Sequence, residues 1–258
     1  MTDDASPQGE MSLMDHLGEF RNRLFRSALA LVVGAAIGYI LFPDLLDFLL
    51  DPYCASGSAY NPGGIEGQCA LVAQRPLDPF SVRMKTSLVF GLFVGGPVIF
   101  FQIWSFIAPG LTKRERRLAA PFVFGSQVMF ASGLAFSYFI IPKGLTVLLN
   151  FAGDRVTPLL SATEYLSFLL TTGVAFGVVF EIPLVLVFLS LLGMIRAEQM
   201  ATARPYAVVV NAIVAAIVTP TTDPVTMLFM LLPMVLFYEI AIIAARIIER
   251  ARRRRQDA

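Results

Sequence analysis

Three glutamates, Glu19, Glu115 and Glu181, sit where a carboxylate needs a physical reason. Glu19 belongs to SLMDHLGEFRNRLFR, residues 12–26, whose apolar Leu13, Leu17, Phe20 and Leu24 share one helical face while Asp15, Glu19, Arg23 and Arg26 fall on another. Glu19 and Arg23 are four apart, so they read first as a helix-surface ion pair contributing about 0.3 kcal/mol. Glu115 lies in FIAPGLTKRERRL three residues after Thr112, a capping-box spacing, and its four basic neighbours also explain it as charge balance. Glu181 is different, because it stands inside an apolar run with no basic residue near it. A carboxylate in hydrocarbon is expensive and marks a functional position by default. Pro183 cannot donate to the carbonyl of Val179, which predicts a kink and a polar pocket beside Glu181.

The remaining chemistry-bearing residues read more simply. Asp223 precedes Pro224 and has the pattern of a helix N-cap with proline at the first position. Glu239 falls late in an apolar run, near an interface where a charge costs less. Cys54 and Cys69 flank a Gly/Ser/Pro-rich loop and are candidates for a disulfide in an oxidising compartment. His16 is the only histidine, so a metal site is not expected. No nucleophile elbow, phosphate loop or metal-spaced cluster is present, and neither an enzyme nor a cofactor is expected.

These residues are carried by a chain that belongs in a bilayer. Of its 258 residues 56% are hydrophobic and 15% charged, and the mean hydropathy is +0.70. A spanning helix needs about 20 apolar residues, and six runs are candidates: 24–42, 86–108, 118–141, 165–192, 206–218 and 225–245, free of Lys and Arg apart from Arg26 at the entry of the first. The fifth is short and must thin the membrane or use its flanks. Fifteen basic residues fall in the loops on the amino-terminal side of the membrane: Arg21, Arg23, Arg26, Lys113, Arg114, Arg116, Arg117, Arg196, Arg204, Arg246, Arg250 and Arg252 to Arg255. The other side holds Arg75, Arg83, Lys85, Lys143 and Arg155, so the positive-inside rule predicts both termini cytoplasmic.

The expected fold is therefore an all-α polytopic membrane protein with six transmembrane helices. It divides into a disordered tail at 1–11, a membrane domain at 12–250 and a basic tail at 251–258. Pro52, Pro109 with Gly110, Pro142, Gly193, Pro205, Pro220 and Pro224 are expected at or near helix boundaries. Residues 12–26 are expected along the cytoplasmic surface, leading into the first span. Gly34 with Gly38 and Gly91 with Gly95 have the small-xxx-small spacing that permits close helix packing.

Read together, HLGEFRNRL at 16–24, Pro52, FIAPGLTKRERR at 106–117, FSYF around Tyr138, FEIP at 180–183, ARPY and TPTTDP resemble the TatC family in order and spacing. The resemblance implies a glove-like bundle with short fifth and sixth helices in the cytoplasmic (inner) membrane. It also implies a receptor that binds twin-arginine signal peptides of folded cargo at the cytoplasmic face. Mapped residue by residue, the family's motif-binding carboxylates fall on Glu19 and Glu115, with Arg21, Phe106 and Pro109 beside them. Its other sensitive positions fall on Pro52, Tyr138, Glu181 and Asp223. Implied partners are single-span TatA/TatB-type subunits on the fifth and sixth helices and further copies in a multimeric receptor complex, with no nucleic acid. Phe20 stands where many members carry Leu, and the stretch from Cys54 to Cys69 enlarges the first external loop.

Two rival classes leave other signatures. A proton-coupled transporter built on Glu181 predicts inverted repeats with broken helices in matching halves, and no internal repeat is visible. An intramembrane hydrolase needs a nucleophile and a base facing one another, and no histidine lies in a span.

Overall fold

The computed structural model describes residues 13–55, 73–107, 119–150, 161–218 and 224–256. They form eight helices and, among the described residues, no strand. These are α1 (Leu13–Ile40), α2 (Phe42–Ala55), α3 (Asp78–Ile107), α4 (Ala119–Asn150), α5 (Ala162–Leu191), α6 (Ala197–Thr202), α7 (Arg204–Val218) and α8 (Pro224–Gln256). Five, namely α1, α3, α4, α5 and α8, are long and apolar enough to cross a membrane, whereas α7 has 15 residues. The protein is a multi-pass membrane protein.

Four expectations are corrected. The surface segment and first span are one uninterrupted helix, because nothing between Leu13 and Ile40 breaks the hydrogen-bond ladder. Residues 42–55, expected as loop, form α2; its apolar Leu45, Leu46, Phe48 and Leu49 pack on the start of α3, the end of α4 and the start of α5. Pro52 and Pro142 do not end helices but lie inside α2 and α4. The last helix is not short: α8 has 33 residues and continues through its arginines to Gln256. By contrast, Pro205 and Pro224 do open α7 and α8, and Gly193 follows α5 with φ 76°, a left-handed conformation that glycine adopts without strain.

Close approach of α1 and α3 follows from their glycines. A Cβ on Gly34 would stand 2.8 Å from the Gly91 carbonyl oxygen, and one on Gly91 would stand 2.5 Å from the Ala35 nitrogen. The two small-residue spacings thus meet backbone to backbone, as helices in lipid do when van der Waals packing drives association.

Contacts between helix ends define two faces of the bundle. At one end the start of α1 meets the end of α3 through Phe20 and Phe106, with ring centroids 5.6 Å apart. Trp104, Phe122 and Phe188 tie the end of α3 to the start of α4 and the end of α5, with centroids 4.5 to 5.1 Å apart. The end of α8 joins them, since Glu249 accepts from the amide of Ala197 in α6 at 2.7 Å. The start of α1 and the end of α8 therefore stand at the same end. The opposite face is built from α2, the first turns of α3 and the start of α5, packed around buried Val82, Ile141, Tyr165, Leu166 and Leu169.

Candidate functional site

At the face shared by the two described termini, α1 presents Glu19 on its first turns. Arg23, one turn on, donates from both Nε (3.1 Å) and Nη2 to Oε1 of Glu19. The expected i, i+4 pair is present, but it uses one carboxylate oxygen and leaves Oε2 without either bond. Both side chains are about a quarter exposed or less. They border an open hollow of about 440 Å³ lined by Met14, Gly18, Glu19, Asn22, Arg23 and Arg26. Arg21 is exposed on the same helix. Phe106, in the last turn of α3, is brought beside this segment by its contact with Phe20. Glu115, Pro109 and Asp223 lie outside the described residues, as does Cys69; Cys54, which packs on the outer core, is disulfide-bonded.

Pro52 and Tyr138, read separately from the sequence, prove to be linked. Proline has no N–H, so Pro52 cannot satisfy the carbonyl of Phe48 one turn before it. The Tyr138 hydroxyl donates to that carbonyl at 2.9 Å, while its ring stacks on Phe48 at 4.5 Å and 5°. Tyr165 donates likewise to the carbonyl of Leu49 at 3.2 Å. Two tyrosines thereby pin a proline-containing helix across the ends of α4 and α5 opposite the two described termini.

Glu181 lies in the middle of α5, half-buried, with Oε1 shielded from solvent and lacking a hydrogen-bond partner. Pro183 follows inside the same helix. The polar surroundings come from α4: Ser126, 1% exposed, lies beside the carboxylate and accepts from Trp104 Nε1 at 2.9 Å. Because the indole can only donate, it occupies a serine lone pair and leaves the serine proton free for Glu181. Ser126 and Trp104 escaped the sequence reading, since neither type marks a site and they are 55 and 77 positions from Glu181.

Two further cations find partners that sequence distance conceals. Arg204, opening α7, forms a two-pronged bridge to Glu239 in α8, with Nε–Oε1 and Nη2–Oε2 both 2.8 Å. Tyr238 donates to the carbonyl of Met200 at 2.8 Å, so the short α7 and its preceding turn are clamped to α8. At the opposite face Arg83 stacks over Tyr39 at 3.9 Å and donates to the Tyr39 carbonyl at 3.0 Å. Among the described residues no cluster of metal-ligating side chains occurs.

Comparison with known proteins agrees with this arrangement. Residues 15–233 match the family model described as Sec-independent protein translocase protein (TatC). The chain is 37% identical to the Sec-independent protein translocase protein TatC of Frankia casuarinae over 96% of this chain and 69% of that one. It is 35% identical to the Aquifex aeolicus protein of the same name over 96% of this chain and all of that one. The chloroplastic relative of Arabidopsis thaliana is 38% identical over 89% of this chain and 64% of its own length. A crystal structure titled as the twin arginine translocase receptor TatC superposes with a TM-score of 0.76 at 35% identity, covering 91% of this chain and 99% of the other. The relatives are translocase components rather than enzymes. The chain belongs to the TatC family of Sec-independent protein translocase proteins.

Proposed function

We propose that this protein is the signal-peptide receptor of a twin-arginine translocase, and that Glu19 and Glu115 bind the paired arginines. The observation that carries this reading is the state of Glu19: half-buried beside an open hollow, with Oε1 held by Arg23 and Oε2 outside both of those bonds. A peptide guanidinium can add at Oε2 without displacing Arg23, so the carboxylate is pre-oriented for a second fork. Arginine presents a planar fork that lysine cannot reproduce, and a hydrogen bond to a charged group contributes about 1.5 to 3 kcal/mol. The Phe20–Phe106 contact sets the end of α3 beside this hollow, and residues 108–118, which carry Pro109 and Glu115, follow from there.

Both termini belong on the cytoplasmic side of the inner membrane, with α7 as a sixth crossing. The basic-residue bias and the common end of α1 and α8 support this topology. At 1.5 Å per residue α7 reaches about 22 Å against a hydrocarbon thickness of about 30 Å. The bilayer thins there. Exposed Val208, Val209, Ile213 and Ile217 on α7 offer a lipid-facing surface for single-span TatA/TatB-type partners, and further copies complete a multimeric receptor that exports folded cargo. Cys54 pairs with Cys69 outside the membrane, and Asp223 caps α8.

A photo-crosslinker at Leu17, on the α1 surface near the hollow, tests the site. Crosslinking to a twin-arginine peptide, abolished when the peptide carries twin lysine, supports the reading. Equal crosslinking from the outer-face position Phe139 would overturn it.

A further inference from the structure

We infer that the emergent part of α8 is a binding site for the headgroup of an anionic phospholipid. At about 100° per residue, Ile243, Arg246, Ile247, Arg250 and Arg254 fall within an arc of about 100°. They form one stripe that changes from apolar to cationic along the helix. Ile243 and Ile247 are 55% and 61% exposed, while Ala241, Ile242 and Ala245 on the far side are fully buried against α6 and its neighbours. The stripe therefore faces away from the rest of the bundle. Arg250 and Arg254 rise about 4.5 and 10 Å beyond Ile247. A headgroup layer is roughly 6 Å deep on each side of the hydrocarbon. With Ile247 at the hydrocarbon edge, Arg246 and Arg250 stand at phosphate level and Arg254 at its outer margin.

These three guanidiniums are exposed, and none forms an ion pair among the described residues. The nearest acid on the helix, Glu249, is committed to the Ala197 amide. Arg246 and Arg250 also border a shallow cleft of about 450 Å³ shared with Ala197, Glu198, Ala201, Thr202 and Glu249, whose Oε1 is taken by the Ala197 amide. A phosphate sits between the two arginines, and a hydroxyl-bearing headgroup such as glycerol can donate to Glu198 across the cleft. An acidic protein partner fits less well, because the same stripe continues without interruption into lipid-facing isoleucines. The inference is independent of signal-peptide binding.

Native mass spectrometry of the full chain in detergent, titrated with phosphatidylglycerol, phosphatidylcholine or inorganic phosphate, tests it. With about 1 kcal/mol for each arginine near an anionic surface, phosphatidylglycerol should bind at least tenfold more tightly than phosphatidylcholine. Inorganic phosphate should not displace it. R246Q/R250Q/R254Q should abolish the preference, R246K/R250K/R254K should retain it, and K143Q at the opposite end should leave it unchanged. Equal affinity for the two lipids, displacement by free phosphate, or a preference that survives the glutamine variant would overturn the proposal. So would a preference lost equally in the lysine variant.

Discussion

Single residues carry testable consequences here because several polar groups have one partner each. Tyr138 serves the carbonyl that Pro52 leaves unmatched. Tyr138→Phe should therefore destabilise the protein by about 0.5 to 1.5 kcal/mol, the net contribution of one hydrogen bond whose acceptor water can reach. Pro52→Ala supplies the missing N–H one turn after Phe48, so the same substitution should cost less in that background. Thermal unfolding of the two single variants and the double variant reads the coupling, and strict additivity would contradict the link. Ser126→Ala removes the only acceptor of Trp104 Nε1. Since Trp104 is the sole tryptophan, its fluorescence should shift to the blue, and an unchanged spectrum would mean that the indole finds another acceptor.

At the scale of elements, the α1–α3 interface depends on the absence of side-chain atoms. Gly91→Leu places carbon against the backbone of Leu31 and Ala35, with the first atom 2.5 to 2.7 Å from theirs. It should cost about 1 to 3 kcal/mol or separate the helices. Gly18→Ala meets nothing within 4 Å and should gain about 0.5 to 1 kcal/mol from helix propensity. Unfolding of both variants in detergent distinguishes packing from a general dislike of glycine substitution in these two helices. These glycine contacts were readable in the sequence because small-residue spacing acts within one helix. The long spans were equally legible, since apolar length alone specifies them. The helix α2 was missed because Pro52 and two aspartates, Asp44 and Asp47, resemble loop composition, and its helical form is secured by tyrosines about 90 and 116 positions away.

For the whole molecule, charge bias anticipated what the contacts between helix ends express: the start of α1 and the end of α8 lie together. Composition also set the class, because a chain this apolar has no soluble alternative. What no local pattern encodes is the pairing of distant polar groups, such as Arg204 with Glu239 or Ser126 with Glu181. Each member of such a pair looks ordinary in its own segment, and only the packing of helices reveals it. The expectation of a short last helix came from resemblance rather than from residues, and the unbroken apolar-to-basic run of α8 overrides it.

Glu19 and Glu115 are proposed to read a pair of arginines together. Equilibrium binding of a labelled twin-arginine peptide to the purified full chain, compared with its twin-lysine form, measures this directly in the unaltered protein, Glu19→Ala and Glu115→Ala. A charged hydrogen bond of about 1.5 to 3 kcal/mol corresponds to roughly 10- to 100-fold in affinity. The account predicts a loss of that size for each substitution and for the lysine peptide. Equal binding of both peptides, untouched by either substitution, would contradict it and leave Glu19 as nothing more than the helix partner of Arg23.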